Sequence, residues 1–222
     1  SLNLKKYCKR IFKVNNFTDL KIRNLLLKID PNNNKEILIG SGYAEIIQDE
    51  SIISNRKNKG NDLSSFTSTK SSRFFYNLKK NKIDHPKWSL EKPKVGTWLV
   101  KNFRSFGGKD VRILGTKTKI SKNDFFQKFE TGESISVQFF SDEKKTKILS
   151  ILDQIQSKDT KNPFLIETIL TRKVNDFELR KMQRIVKKIS KIFRLRGVNN
   201  IDLISKKNNF SDLKLLELNA RP

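Results

Sequence analysis

The chain has 222 residues and carries 47 Lys plus Arg against 23 Asp plus Glu, a net charge of +24. That length can bury one large or two small cores, and its 36% of hydrophobic residues recur periodically, which a disordered chain does not do. One cysteine and one histidine exclude a disulfide framework, a Cys-based zinc site and any His-dependent triad or metal centre. No run of about 18 apolar residues reads as a membrane span. The charge invites a nucleic-acid reading. Against it, Lys, Asn, Ile and Phe are raised together, as AT-rich codons would raise them, and the lysines are spread along the chain. The excess therefore reads as solvated surface, with nucleic acid an unfavoured partner. The start at Ser1, the lone Met182 and the end at Pro222 lead us to expect a fragment of a longer protein.

Residues Asp19 to Ile29 predict a short helix with Leu20, Ile22, Leu25, Leu26 and Ile29 on its apolar side, ended by Pro31 and a run of asparagines. Glu36 to Gly40 predicts a short buried strand that leads into Gly40, Ser41 and Gly42, half of an α/β unit. Glu45 stands where a dinucleotide fingerprint needs its third glycine. Ser54 to Ser72 is polar and marks a boundary, and Phe74 to Lys82 predicts a helix stopped before Pro86. Trp98 to Lys101 is a strand ending in a placed positive charge, followed by a loop with Gly107 and Gly108 whose backbone can approach phosphate. It is not a Walker A loop, because Asp110 follows Lys109 where Ser or Thr is required. Phe125 to Phe129 is a further strand, and Ser134–Phe140 with Thr146–Leu152 predicts a hairpin. Phe177, Met182, Ile185, Val186, Ile189, Ile192 and Phe193 recur at helical spacing behind a cap at Asn175 or Asp176, with Gly197 as the stop. Strands over Val198–Ser205 and Leu213–Asn219 close the chain. Cys8, His85, Trp88 and Trp98 read as structural or inert residues.

Strict alternation puts Leu213, Leu215, Glu217 and Asn219 on one face of the last strand. If the turn is centred near Asn209 and Phe210, Asp202 falls opposite Glu217. Two facing carboxylates repel, and the pairing makes sense around a hard cation, with Asn219 as a further oxygen ligand. A one-residue slip would instead turn Asp202 to solvent. Arg221 adds a cation able to hold phosphate or carboxylate bidentately.

Glu217-Leu218-Asn219-Ala220-Arg221-Pro222 resembles the Glu-x-Asn-x-Arg signature of the ATP-grasp enzymes, with Asp202 at the place of their other metal-binding acid. The likeness runs in motif order from about Ile37 to Pro222. It is nearest to a group of predicted ATP-dependent carboligases related to biotin carboxylase, which share the Trp-Leu-x-Lys strand and the Leu-Glu-x-Asn-x-Arg-Pro end. The resemblance implies an α+β protein: two mixed lobes clamping ATP over 63–222, divided near 129 and 130, behind a truncated α/β domain over 1–62. It implies Mg2+ on Asp202, Glu217 and Asn219, with Lys101 and Arg221 catalytic at the transferred phosphoryl group. Lys70, in a neighbourhood that includes Lys79, Lys80 and Lys82, resembles the first nucleotide-binding lysine. Lys101, Ser105, Gly107 and Gly108 resemble the phosphate lysine and glycine-rich lid. Residues 126–137 resemble the hinge between the lobes. Backbone groups of Lys128, Phe129 and Glu130 would there grip adenine, Gln127 would face its amino group, and Ser134 or Glu133 would meet the ribose. The chain departs from its relatives at Ser134, where many have an acid, and at Phe164 to Ile169, where they have a glycine-rich segment. Taken whole, the resemblance implies a cytoplasmic ligase that uses ATP and Mg2+ to join a small-molecule carboxylate to an amine. A nucleotide-binding module without ligase activity and a basic nucleic-acid-binding protein are the alternatives.

Overall fold

A computed structural model describes residues 8–15, 18–40, 56–103, 108, 110–142, 144–157, 163–206 and 209–220. Ser41 and Gly42, Ser105 and Gly107 of the expected lid, and Arg221 lie outside the described residues. The chain divides into two compact units, Ser1–Asn58 and Lys59–Pro222.

In the first unit, helix α1 (Asp19–Ile29) starts at Thr18, whose hydroxyl accepts the Lys21 amide, and ends at Asp30, whose amide returns to the Leu26 carbonyl. The Asp30 carboxylate accepts the Asn34 and Lys35 amides and pairs with Arg56, both side chains being buried. Hydrogen bonding to the Lys35 amide, with the Arg56 guanidinium beside it, holds the Asp30 carboxyl below its usual value. Two expectations fail here. No residue of α1 is buried and Leu20 is 68% exposed, so the apolar side has no core to face among the described residues. The strand expected at Glu36–Gly40 is a single parallel bridge between Ile37 and Asn58.

The second unit is an α+β arrangement of two antiparallel sheets. Helix α2 (Leu63–Thr69) starts at Asp62, whose carboxylate accepts the Ser65 amide, and α3 (Arg73–Lys80) follows after one turn. The stretch 63–69 is so rich in Ser and Thr that in sequence it reads as a boundary, yet the cap and buried Phe66 suffice to fold it. A four-stranded sheet runs β1-β4-β2-β3, from β1 (Trp88–Ser89), β2 (Trp98–Asn102), β3 (Arg112–Ile113) and β4 (Asp124–Lys128). A five-stranded sheet runs β7-β6-β5-β8-β9, from β5 (Glu133–Ser141), β6 (Thr146–Gln156), β7 (Ile166–Thr171), β8 (Gly197–Lys206) and β9 (Asn209–Asn219).

Helix α4 (Asp176–Ile192) carries a capping box: Asn175 accepts the Glu178 amide while the Glu178 carboxylate accepts the Asn175 amide. Its buried stripe of Met182, Val186 and Ile189 packs against β5 and β6. Ile135, Val137, Ile201 and Leu203 are fully buried on that side of the sheet. Each such aliphatic side chain contributes about 1.5–3 kcal/mol on burial. Phe177 is 61% exposed and does not join the stripe. The helix stops before Gly197, with Phe193 as its cap and Arg194 turned to a φ of 49°. Among the described residues no helix is long and apolar enough to cross a membrane.

Candidate functional site

The register of the last hairpin decides the site. Leu203 pairs with Leu215 and Asp202 pairs with Glu217, so Leu216 has no partner and forms a bulge. A second irregularity sets Phe210 to Leu213 against Ser205 alone. Asp202 therefore does face Glu217, but not through the smooth hairpin that the sequence suggests. The expected shared face of Leu213, Leu215, Glu217 and Asn219 is wrong for a physical reason: the surplus residue inverts the alternation beyond it. Leu213, Leu215, Leu218 and Ala220 are buried, whereas Glu217 and Asn219 share the open face with Asp202 and Asn200, their partners across the ladder.

Asp202 is held closely. Its Oδ1 accepts from Ser136 Oγ at 2.8 Å, Gln154 Nε2 at 3.0 Å and Asn200 Nδ2 at 3.0 Å, and its Oδ2 accepts from Asn219 Nδ2 at 3.0 Å. Burial, and then the charge of Glu217, push its carboxyl above the ordinary aspartate value despite these donors. Among the described residues no three His, Cys, Asp or Glu side chains come together, so any cation here would rest on two carboxylates and an amide oxygen. These are hard oxygen donors suited to Mg2+.

Two lysines approach from the other side. Lys70, the residue that caps the end of α2, donates to Glu217 Oε1 at 3.4 Å. Lys79, Lys80 and Lys82 lie on or just after α3. Lys101 shares a face of the small sheet with Phe125 and Gln127, and donates to Gln127 Oε1 at 3.3 Å. Phe125 stacks on Phe103 at 4.3 Å and contacts Phe75, which stacks in turn on Trp88; Phe75, Phe103 and Phe125 line the same cleft as both lysines. Lys70, Lys101, Gly108, Phe125, Leu216 and Glu217 line one cleft. Gly108 has a φ of 77°, and a Cβ there would overlap the Phe164 carbonyl oxygen.

Leu216 also lines a second hollow with Phe129 to Ser134, which belong to the expected hinge, and with Arg172 and Ile204. The Lys128 and Phe129 amides are already given to the Lys87 and Thr97 carbonyls, at 2.7 and 3.0 Å. Among the described residues the Glu130 amide donates to no backbone carbonyl, while the Glu130 side chain accepts from Lys214 at 2.9 Å. Gln127 is 1% exposed and its Nε2 has no partner among the described residues. Both ribose candidates are engaged: Ser134 donates to Gln154 Oε1 at 2.8 Å, and Glu133 pairs with Arg172 at 3.0 Å. Arg172 also grips Asp153 at 2.6 Å and lies 5.1 Å from the centre of the Phe210 ring. Sequence reasoning missed Leu216, Ser136, Gln154, Asn200 and Arg172. Ser134, Ser136 and Gln138, alternating with Ile135, Val137 and Phe139, were the available signal for the polar face.

The family model described as an ATP-grasp domain matches residues 70–222. No curated protein sequence matches the chain. Among solved structures, a protein of the ATP-grasp superfamily from Archaeoglobus fulgidus is 19% identical over 78% of this chain and 52% of its own, with a TM-score of 0.60. The D-alanine–D-alanine ligase of Bacillus anthracis is 14% identical over 96% of this chain and 76% of its own, with a TM-score of 0.68. Biotin carboxylase from Campylobacter jejuni is 13% identical over 91% and 52%, also with a TM-score of 0.68. The chain spans about half the length of the Archaeoglobus and Campylobacter proteins. With a family match over most of its length, two antiparallel sheets and a facing pair of acids beside two lysines, the chain belongs to the ATP-grasp superfamily.

Proposed function

We propose that this chain is the nucleotide-binding core of a ligase that uses Mg2+ and ATP to activate a carboxylate as an acyl phosphate. The observation that carries the reading is the Asp202–Glu217 pair with Asn219 on one open face, within reach of Lys70 and close to Lys101. Asp202, Glu217 and Asn219 would hold Mg2+, which neutralises charge on the ATP phosphates and makes the γ-phosphorus a better electrophile. Lys70 and Lys101 bind phosphate oxygens, exchanging their contacts with Glu217 and Gln127 for the nucleotide. Gly108 belongs to the lid, with Ser105 and Gly107 beside it in sequence. Leu216 packs on the base, and the Glu130 amide suits an acceptor nitrogen of adenine. A substrate carboxylate oxygen attacks the γ-phosphorus and ADP departs, leaving the acyl phosphate. An amine then attacks the acyl carbon and expels inorganic phosphate. Arg221 is the cation assigned to the transferred group. No side-chain nucleophile is required, in keeping with the scarcity of Cys and His.

On the same reading, residues 1–62 belong to an α/β domain that precedes the ATP-grasp lobes 63–129 and 130–222. The protein is cytoplasmic and nearest to the carboligases related to biotin carboxylase. A second reading, nucleotide binding without ligation, is favoured by one observation: an exposed edge strand, β7, overlaps at Ile166 to Ile169 the stretch where those relatives carry glycines. A screen of carboxylic acid and amine pairs for ADP release separates the two. Release that depends on both substrates is expected. Mg-ATP binding with no release under any pair would favour the second reading.

A further inference from the structure

The donors around Asp202 are distributed unevenly. Three reach Oδ1, one each from β5, β6 and β8, while Oδ2 meets only Asn219 of β9. A buried aspartate that needed only satisfaction could divide its donors between both oxygens. Here the crowded oxygen is bonded from β5, β6 and Asp202's own strand β8, and the sparsely bonded one meets β9, where Glu217 and Asn219 stand. Chemistry fixes the polarity of these bonds. An ionised carboxylate only accepts, so Gln154 must present Nε2 to it, which turns Gln154 Oε1 toward the Ser134 hydroxyl. Ser136 is 4% exposed, and its hydroxyl also lies 2.9 Å from Asn200 Oδ1. Three side chains on three strands thus share one task.

Resting on the metal site proposed above, we infer that Ser136, Gln154 and Asn200 are positioning residues. They fix Asp202 by one oxygen, so that Oδ2 is aimed at the cation shared with Glu217 and Asn219. None of them touches the reacting atoms. Partners of this kind typically govern metal affinity by about 10- to 100-fold.

The test uses Mn2+ as the probe with a non-hydrolysable ATP analogue, and reads free Mn2+ by electron paramagnetic resonance on the full chain. The double variant Ser136→Ala, Gln154→Leu is expected to bind Mn2+ in the presence of the analogue at least about tenfold more weakly than wild type. Ser136→Thr keeps the hydroxyl and is expected to stay within roughly twofold of wild type. Affinity for the analogue without metal should not change, which a general loss of structure would not allow. If the double variant has no native melt, Gln154→Leu alone carries the comparison, with a loss beyond roughly twofold expected. Mn2+ affinity unaltered in the variants would overturn the positioning role and leave the metal site standing. No Mn2+ binding by the wild type with the analogue would remove both.

Discussion

Asp202 and Glu217 face each other with their charges only partly offset, because Lys70 touches Glu217 at 3.4 Å and neutral donors hold Asp202. Glu217→Gln keeps the shape and one oxygen but removes the charge that helps to raise Asp202. We expect the metal-free melting temperature to hold or rise slightly, and ATP turnover to fall at least about a hundredfold. A marked fall in metal-free stability would make Glu217 a structural residue instead. The same pair sets a pH dependence. The folded carboxyl of Asp202 titrates above its unfolded value of about 3.9, so its charged form penalises the fold at neutral pH. That penalty is complete above the raised value and disappears as pH falls toward the unfolded one. The stability of wild type relative to Glu217→Gln in chelator is therefore expected to improve on acidification, as read from paired urea titrations.

At the scale of elements, most of what periodicity and caps can report was legible in the sequence. The α1 bounds, the Asn175 cap of α4 and the β5–β6 hairpin follow from local signals that do not depend on distant residues. Asn175→Ala is expected to cost about 1 kcal/mol by loss of the cap, measurable by chemical denaturation. The two-residue strands β1 and β3 were not legible, because only their neighbours in the sheet define them. The exposed strand β7 lacks the alternation that marks a half-buried one. The bulge at Leu216 was hidden for a different reason. The run Leu213 to Leu218 alternates well enough either way, and only pairing with β8 decides which leucines go inside. Residue types at the site were visible as chemistry, but their shared face was a tertiary fact.

The whole molecule is strongly basic, and its cleft sets two lysines, Lys70 and Lys101, beside the acid Glu217. If the +24 charge is compositional, affinity for DNA or RNA is expected to be weak, indifferent to sequence and largely lost between about 50 and 200 mM salt in filter binding. Sequence-selective binding at physiological salt would reverse the ranking of partners. On the proposed function Mg-ATP, by contrast, would bind only the folded cleft. It is expected to stabilise the native state by about 2.7 kcal/mol at a hundredfold excess over its dissociation constant, seen as a shift in thermal melts. No shift at millimolar nucleotide would remove the proposed function.

The ladder that contains Leu216 could be built without it. Were it absent, Leu203 with Leu215 and Asp202 with Glu217 would simply become consecutive pairs, and both acids would still look outward. What the surplus residue adds is a second side chain at one rung. Leu216 and Glu217 both stand half-buried between the buried Leu215 and Leu218, so a single rung offers its open side an apolar group and a charged one together. The two then answer to different constraints. Glu217 is tied by register to Asp202, whereas Leu216 answers to no rung and reaches both hollows. Position 216 can therefore change in size or polarity to suit whatever lies against it without moving the acids, and the fit of a ligand can drift while the charge beside it stays where it is.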